Sequence, residues 1–274
     1  MNIYGSNLAF GEFILYNYGL MLATFESTDA SDEDIGLSTT TVETFVKDSP
    51  VPIYLGETYS EKLKYTMCLI KKPCGNFNRD DDMNFTEYEC RSIIRALQAK
   101  KGYQWLKIFD DDVFSEVEYR AKVNKIHYEK IAGRVVGILV DIECDSCYAW
   151  SHEQTYTVNA KENTPFYVFN NSDDLTTYLL PNCTIKTSES GTLQLINNSD
   201  SDWLSELKNI SNSETISMDS KNELLSSSNT DRKHILNDFN LHWIRLIPDK
   251  NKFTTNMDAK ITFSYRAPRK VGFV

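Results

Sequence analysis

Alternation of apolar and polar positions predicts short strands through much of the first 150 residues. The stretch Lys64–Lys71 places Tyr65, Met67 and Leu69 on one face, which is the pattern of a half-buried strand. Phe10–Leu22 is apolar and aromatic and is interrupted by glycines, which indicates short β-like runs. Further strands are predicted at Tyr103–Phe109, Val117–Lys130 and Arg134–Cys144, the last two as an antiparallel pair across Ile131-Ala132-Gly133.

The segment Leu37–Lys47 alternates differently, because both of its faces mix polar and apolar side chains. Thr39 and Phe45 fall on one face and Val42 on the other. Neither face is suited to a hydrophobic core, so we expect a long protruding ribbon rather than a core strand.

One helix is predicted after Thr86, where Thr86 and Glu89 have the spacing of a capping box. Cys90, Ile93, Ile94 and Leu97 then recur at helical spacing, which predicts a buried face. Gly102 is the predicted stop, after Lys100 and Lys101 at the negative end of the helix dipole.

The second half shows short strand-like segments separated by Asn, Ser, Asp and Gly turns, which is typical of a β-sandwich. The junction is predicted near Trp150–Asn163, and Asp219–Asp238 is expected to hold the loosest loops. Strands are predicted at Phe166–Phe169, Cys183–Thr187, Thr192–Ile196, Glu214–Met218, His242–Ile247 and Lys260–Tyr265. The predicted fold is mostly β, with an α+β domain of sandwich-like sheets, one helix and a long hairpin over 1–152, and a β-sandwich over 153–274.

Composition and charge narrow the function classes. The 274 residues are 41% hydrophobic, which excludes a disordered chain. The net charge of the chain is −10. Residues 1–150 carry 16 basic and 24 acidic side chains, so this half accounts for −8 of the total. Neither half has the basic stripe that nucleic acid or anionic lipid requires, so we expect no direct binding to either. No apolar run reaches membrane-spanning length and the N-terminus lacks signal-peptide features, so no membrane association is expected.

The sequence offers few candidates for chemistry. Cys144 and Cys147 have the C-x-x-C spacing of zinc or redox sites, but a second ligand pair is missing, and reduced structural thiols are the preferred interpretation. Asp80–Asp82 and Asp110–Asp112 lack the spacing of a calcium loop and read as solvated turns. No phosphate loop, dinucleotide fingerprint or hydrolase motif occurs, so neither a cofactor nor enzymatic activity is expected. A hydrolase with an acid pair in a cleft stays open, although nothing selects the pair.

Aromatic side chains in the second half allow a sugar-binding alternative. Trp243 lies in an apolar run and is expected in the core, whereas Trp203 follows an Asp-Ser-Asp stretch in a predicted loop. Trp203 is therefore the candidate for stacking against a saccharide.

Several stretches resemble, in order, the distal tail proteins of long-tailed bacteriophages. In the first half these are Tyr18-Gly19-Leu20, Tyr54-x-Gly56-x-x-Tyr59-x-x-x-Leu63-x-Tyr65, the capped helix with Tyr103-Gln-Trp105-Leu106, Tyr119–Val123, and Gly137–Cys144 closing on Asp145–Trp150. In the second half they are Glu214–Asp219, Trp243-x-Arg245-Leu246-x-Pro248-x-x-Asn251 and Ile261-x-Phe263-x-Tyr265-Arg266, which resemble a galectin-like sandwich. Asp249 stands where the family usually has glycine, and the helix lacks a tryptophan that many members have.

The resemblance implies a structural hub at the tail tip of a virion, made in the bacterial host cytoplasm. Members assemble as a hexameric ring below the tail tube, with a hairpin of the first domain lapping onto the neighbour. Leu37, Thr39, Val42, Phe45 and Lys47 would form that inter-subunit hairpin. The second domain would face receptor-binding proteins or host cell-wall saccharide. A phage or prophage tail component is the leading hypothesis, and a carbohydrate-binding protein is the alternative.

Overall fold

The computed structural model describes residues 7–23, 39–47, 50–59, 62–72, 83–109 and 116–270, without the side chains of residues 39, 57 and 59. Within these ranges strands dominate and one α-helix occurs, which confirms the mostly β fold class. The chain divides into an N-terminal unit, which runs to Trp150 and includes Lys270, and a C-terminal unit of Ser151–Arg269. No helix in the described ranges is long and apolar enough to cross a membrane.

The elements of the N-terminal unit are β1 Leu8–Phe10, β2 Phe13–Ile14, β3 Leu20–Ala23, β4 Thr39–Thr44, β5 Ile53–Tyr59, β6 Lys64–Lys71, α1 Glu87–Leu97, β7 Gln104–Ile108, β8 Val117–Ile131 and β9 Arg134–Cys144. A 3-10 helix, Leu15–Tyr18, follows β2, and strand β10, Ala149–Ser151, pairs with β8. The unit is built on a sheet with the order β2-β1-β7-β8-β9-β6-β3, in which all neighbours are antiparallel.

The two terminal strands of this sheet, β2 and β3, are consecutive in the chain. Only Leu15–Tyr18 and Gly19 separate them, so the sheet must curl until its edges come close together. Its inner face carries a core that includes Tyr65, Met67 and Leu69, the side chains expected to be buried on the strand Lys64–Lys71.

Strands β8 and β9 form the predicted antiparallel hairpin. Ala132 and Gly133 form its turn, with φ angles of 49° and 79°. Two consecutive positive φ angles match the right-handed twist of the flanking strands, and glycine adopts such an angle without steric cost.

Helix α1 begins where the sequence predicts it. The Thr86 hydroxyl accepts from the Glu89 N–H at 3.3 Å and the Glu89 carboxylate accepts from the Thr86 N–H at 2.7 Å, which confirms the capping box. The helix ends at Leu97 with Gln98 as its cap, so Gly102 as the stop is wrong. Lys100 instead reaches Glu12 at 2.6 Å, outside the helix.

The C-terminal unit is a β-sandwich, as predicted. Its strands are β11 Gln154–Ala160, β12 Phe166–Asn170, β13 Asn182–Thr187, β14 Gly191–Asn197, β15 Trp203–Ile210, β16 Thr215–Asp219, β17 Leu224–Ser227, β18 Asp249–Thr255, β19 Ala259–Tyr265 and β20 Pro268–Arg269. A five-stranded sheet, β11-β19-β13-β16-β17, faces a four-stranded sheet, β12-β18-β14-β15. The ring centroids of Phe253 in one sheet and Phe263 in the other lie 5.6 Å apart inside a shared core.

Some predicted features of this half differ in the structure. The junction stretch contains strand β11, and Asp219–Asp238 contains β17 and a 3-10 helix, Ile235–Asp238. Arg232 ties that segment to the sandwich, because its guanidinium lies 3.0 Å from Glu214 Oε1 and 2.9 Å from Asp238 Oδ2. Part of the segment is therefore regular structure attached to the sandwich rather than loop.

The predicted strand His242–Ile247 is not a strand either. Leu246 makes one isolated bridge, to Leu179, through two backbone hydrogen bonds of 2.8 and 3.0 Å. Other backbone groups of the segment bond to side chains instead: Ser205 donates to the His242 carbonyl and Asn197 to the Arg245 carbonyl. Side-chain groups thus take the place of a neighbouring strand along most of this segment.

Candidate interaction surfaces

Strands β4 and β5 form a two-stranded antiparallel ribbon separate from the large sheet. Their register runs from Thr39 opposite Tyr59 to Thr44 opposite Ile53, with an irregularity between Val42 and Glu43. We call β4, β5 and the described residues 45–47 and 50–52 of their connection the ribbon. The structure thus confirms a long hairpin, and the irregularity breaks the strict alternation expected along β4.

The ribbon exposes apolar side chains on both of its strands and in the connection between them. Of the predicted hairpin residues, Val42, Phe45 and Lys47 are exposed, only the backbone of Thr39 is described, and Leu37 lies outside the described residues. Phe45 is 78% exposed, and Ile53 and Leu55 of the partner strand are 50% and 62% exposed. The exposed apolar residues of the ribbon are Val42, Phe45, Val46, Val51, Ile53, Tyr54 and Leu55.

A ribbon of this kind has little stability of its own. An isolated two-stranded hairpin is marginal in water, and a third strand or a packed face is normally needed. β4 and β5 have their extensive contacts only with each other among the described elements. The geometry therefore provides a surface that gains stability when another surface covers it.

Trp203 does not lie in a loop; it is the first residue of β15 and is half-buried. The Arg245 guanidinium lies 3.5 Å from its ring centroid, and the His242 ring stacks on it with centroids 4.3 Å apart. The indole Nε1 donates to the Trp243 carbonyl at 3.0 Å. Both the ring and its polar group are therefore engaged within the chain.

The stack around Trp203 extends further. The guanidinium of Arg245 also lies 4.0 Å from the ring centroid of Tyr178, and its Nε donates to Asp200 Oδ2 at 2.6 Å. Tyr178, Arg245, Trp203 and His242 thus form one stacked row, which fastens the segment before β18 to the start of β15. No spacing in the sequence signals this row, since its members come from three separate segments.

Exposed aromatic rings on the sandwich occur elsewhere, on the edge strand β12. Tyr167 and Phe169 alternate outward from the core, and Phe169 is 59% exposed. Lys250 lies opposite Phe169 in the neighbouring strand, with its Nζ 3.9 Å from the ring centroid of Tyr167. Phe169 is the most exposed aromatic side chain of the sandwich among the described residues, ahead of Tyr178 at 48%.

The C-x-x-C pair is poorly suited to chemistry. Cys144 is fully buried in the core of the N-terminal unit, and burial, followed by the nearby Asp145 and Glu143 carboxylates, raises the pKa of its thiol to about 12. The thiolate is the form that attacks disulfides and binds metals, so this thiol is held in its unreactive state at neutral pH. Among the described residues no group of three potential metal ligands comes together, and Asp80–Asp82 and Asp110–Asp112 lie outside them.

Asp249 occupies the position where the resembling family usually has glycine. Its φ of 66° lies in the left-handed region that favours glycine. Aspartate is among the residues that tolerate this region best, so the turn keeps a glycine-like geometry without the glycine.

A β-rich N-terminal unit with an exposed two-stranded ribbon, followed by a β-sandwich, provides surfaces suited to assembly with other chains. A family model described as a phage tail protein N-terminal domain matches residues 3–146, and one described as a phage tail C-terminal domain matches residues 148–265. The first model covers more than half of the chain, so the chain belongs to this family of phage tail proteins. It is a structural component of a phage tail.

A solved phage protein shares the architecture. The Dit protein of phage SPP1, described as a paradigm of the hub adsorption apparatus in phages that infect Gram-positive bacteria, superposes with a TM-score of 0.62 at 14% identity, over 95% of this chain and 98% of that one. Chains from two baseplate structures of phage P2 in the activated conformation, one with Ca and one with Sr, each superpose with a TM-score of 0.49 at 10% identity. Each match covers 96% of this chain and 94% of the other. At these identities the likeness concerns the fold alone. No curated protein sequence matches the chain.

Proposed function

We propose that this chain is a distal tail hub protein that closes into a ring at the tip of the phage tail. Its support is the family membership together with the fold shared with a hub protein. In this role the ring links the tail tube to the proteins that contact the host. By the resemblance to distal tail proteins, the ring has six copies.

The ribbon is the observation that carries the proposal. It presents apolar side chains outward and is supported mainly by its own two strands. Exposed strand edges invite pairing with other chains, and a head-to-tail contact that closes into a ring satisfies them without forming fibres. Ring closure therefore gives the ribbon the partner that its composition requires.

The role is structural and non-enzymatic, and the chain is made in the host cytoplasm before it joins the virion. Its partners are further copies of itself, the tail tube and other tail-tip or receptor-binding proteins. The buried, protonated thiol of Cys144 is consistent with this role, because it removes the one C-x-x-C pair from redox chemistry.

Solution mass tests the ring. Six copies of 31.5 kDa give about 189 kDa by light scattering behind a sizing column. The double variant Ile53→Asp, Leu55→Asp should lower the mass to that of one chain with an unchanged circular dichroism spectrum. Leu224→Asp, at an equally exposed leucine outside the ribbon, is the matched control and should keep the ring. A wild-type chain that stays monomeric overturns self-assembly, and a ring in the double variant overturns the role of the ribbon.

A saccharide of the host cell wall is a second candidate ligand, favoured by the exposed pair Tyr167 and Phe169. The predicted residue, Trp203, contributes a ring whose faces are already covered by Arg245 and His242. Calorimetric titration with cell-wall polysaccharide should show saturable heat that Phe169→Ala abolishes. A titration without saturable heat would contradict saccharide binding and would not affect the proposed hub role.

A further inference from the structure

A second exposed aromatic surface lies on the N-terminal unit, at the connection between β2 and β3. Ile14, Tyr16 and Tyr18 all point outward there, and Tyr16 is 68% exposed. The Lys72 ammonium lies 5.5 Å from the ring centroid of Tyr16. We call Ile14, Tyr16, Tyr18 and Lys72 the aromatic corner.

The aromatic corner is held in place by backbone hydrogen bonds. Gly19 adopts a left-handed φ of 64° and its N–H donates to the Tyr16 carbonyl at 3.0 Å, which closes the 3-10 helix. The Lys72 N–H donates to the Gly19 carbonyl at 2.8 Å, and the Tyr18 ring packs on buried Phe13 with centroids 4.8 Å apart. Exposed tyrosines on a rigid backbone lose little conformational entropy when a partner covers them.

The ribbon and the aromatic corner belong to opposite ends of the β3–β6 pair. In that pair Leu20 lies opposite Lys71, so the aromatic corner sits at the end where β3 begins and β6 finishes. The ribbon connects to the other end, because β5 finishes at Tyr59, five residues before β6 begins at Lys64. The eight residues of β6 separate the two ends by about 23 Å.

A head-to-tail ring needs two unlike surfaces at different places on each copy. We propose that the aromatic corner of one copy receives the ribbon of the next copy. The inference rests on the proposed ring and names its acceptor surface. Apolar side chains of the ribbon, among them Ile53 and Leu55, would cover the exposed tyrosines. The ribbon carries Glu43 and Glu57 against Lys47, a net charge of −1, and the aromatic corner carries the basic Lys72, so the two surfaces have complementary charge.

Aromatic-corner variants test the acceptor role directly. Two variants are compared with the wild type: the double variant Tyr16→Ser, Tyr18→Ser and the single variant Tyr16→Ser. Each should reduce the solution mass from that of the ring to 31.5 kDa, with an unchanged circular dichroism spectrum. Tyr88→Ser, at a more exposed tyrosine on α1 of the same unit, is the matched control and should keep the ring. If wild type forms rings and both aromatic-corner variants still do, the acceptor assignment is wrong and the ring stands. If the wild-type protein never forms rings, the result contradicts the proposed function itself rather than the assignment of the acceptor surface.

Mixing two assembly-deficient variants gives the sharper test. The ribbon variant Ile53→Asp, Leu55→Asp keeps an intact aromatic corner, and the aromatic-corner variant keeps an intact ribbon. An equimolar mixture should form one productive contact and stop at a heterodimer of about 63 kDa, twice 31.5 kDa, by sedimentation equilibrium. A mixture that stays at the mass of one chain at the highest concentration overturns the proposal, as does either variant forming dimers by itself.

Discussion

The guanidinium of Arg245 lies 3.5 Å from the ring centroid of Trp203, and Asp200 holds it there through a 2.6 Å hydrogen bond. Arginine suits this position because its flat, delocalised cation stacks on two rings while donating in its own plane. The contact joins β15 to the segment that leads into β18. It therefore stabilises a part of the sandwich whose backbone has one isolated bridge, at Leu246, in place of a neighbouring strand.

Arg245→Lys is expected to destabilise the C-terminal unit by about 1–2 kcal/mol, because an ammonium cannot lie flat between Tyr178 and Trp203. Urea denaturation followed by tryptophan fluorescence measures the loss, with a shift in Trp203 emission in the folded state. Lys250→Ala removes an exposed cation–π contact on Tyr167 and is the control, with a smaller expected effect. Equal effects of the two variants would contradict the role of the stack.

Asn251 is 0% exposed, and both polar atoms of its side-chain amide form hydrogen bonds. Its Oδ1 accepts from the Ile247 N–H and from Asn197, both at 2.9 Å, and its Nδ2 donates to the carbonyls of Ile247 and Asp249. Asn251→Asp keeps the acceptor but removes both donors and buries a charge. The expected cost at pH 7 is about 3 kcal/mol or more.

The pH dependence identifies the cause of that loss. Burial raises the folded-state pKa of an introduced aspartate, so the variant should regain stability as the pH falls below that pKa, where the neutral carboxyl can donate once. Unfolding free energies at pH 7 and pH 5 test this recovery. Asn212→Asp, at an exposed turn, is the control and should change stability by less than about 0.5 kcal/mol. A loss that is the same at both pH values would exclude a buried charge as its cause.

Arg232 and the carboxylates of Glu214 and Asp238 couple stability to acid. Burial by itself would raise the pKa of Glu214, but hydrogen bonds from the Ser211 N–H, Ser227 and Arg232 outweigh it and hold the pKa below its ordinary value. Arg232 and then Asn209 lower the pKa of Asp238. A depressed carboxyl pKa contributes stability that is complete above the unfolded-state pKa, near 4, and is lost as the pH falls through the folded-state value.

Arg232→Met should therefore cost about 3–5 kcal/mol at pH 7, because it leaves the buried Glu214 without its cation. It should also make stability less sensitive to acid, since the pKa of Glu214 rises toward or above its unfolded value. Thermal denaturation between pH 3 and 7, in steps of about one unit, compares the slopes. Lys161→Met breaks the exposed pair with Asp258 and should leave the curve nearly unchanged. Parallel curves for wild type and Arg232→Met would refute the coupling.

Thiol labelling separates the two cysteines of the C-x-x-C pair. Cys147 is partly exposed, whereas Cys144 is buried with a pKa of about 12. Iodoacetamide at pH 7.5, followed by peptide mass spectrometry, should modify Cys147 well before Cys144, and added zinc should not protect either thiol. Cys183, buried in the other unit, provides an internal control and should resist labelling. Rapid modification of Cys144, or protection by zinc, would favour the redox or metal interpretation.

Local signals in the sequence are sufficient for the features that depend on neighbouring residues. The capping box of Thr86 and Glu89 fixes where α1 begins, and the turn at Ala132 and Gly133 places Ile131 of β8 opposite Arg134 of β9. The end of α1 was harder to predict, because Gly102 is a suitable stop but the chain leaves the helix after Leu97.

Features that join distant segments could not be predicted in this way. The exposure expected for Trp203 was inferred from its polar neighbours, yet its environment is set by Arg245 and His242, some forty residues later. Likewise β5 follows two prolines, and only its pairing with β4 reveals it as half of the ribbon. Side-chain hydrogen bonds from Asn197 and Ser205 decide that the segment from His242 is not a strand.

The curled sheet of the N-terminal unit constrains the order of events during synthesis. β1 pairs with β7, and β6, which carries β3 at its side, pairs with β9, which ends at Cys144. The first strands to be synthesised therefore cannot complete their pairing until the last strands of the unit have been made, and such long-range pairing slows folding. The ribbon emerges from the ribosome well before the sheet of its own unit is complete. A newly made chain therefore exposes the apolar side chains of the ribbon and the unpaired edges of the unfinished sheet at the same time, and it needs protection by a chaperone against pairing with other chains.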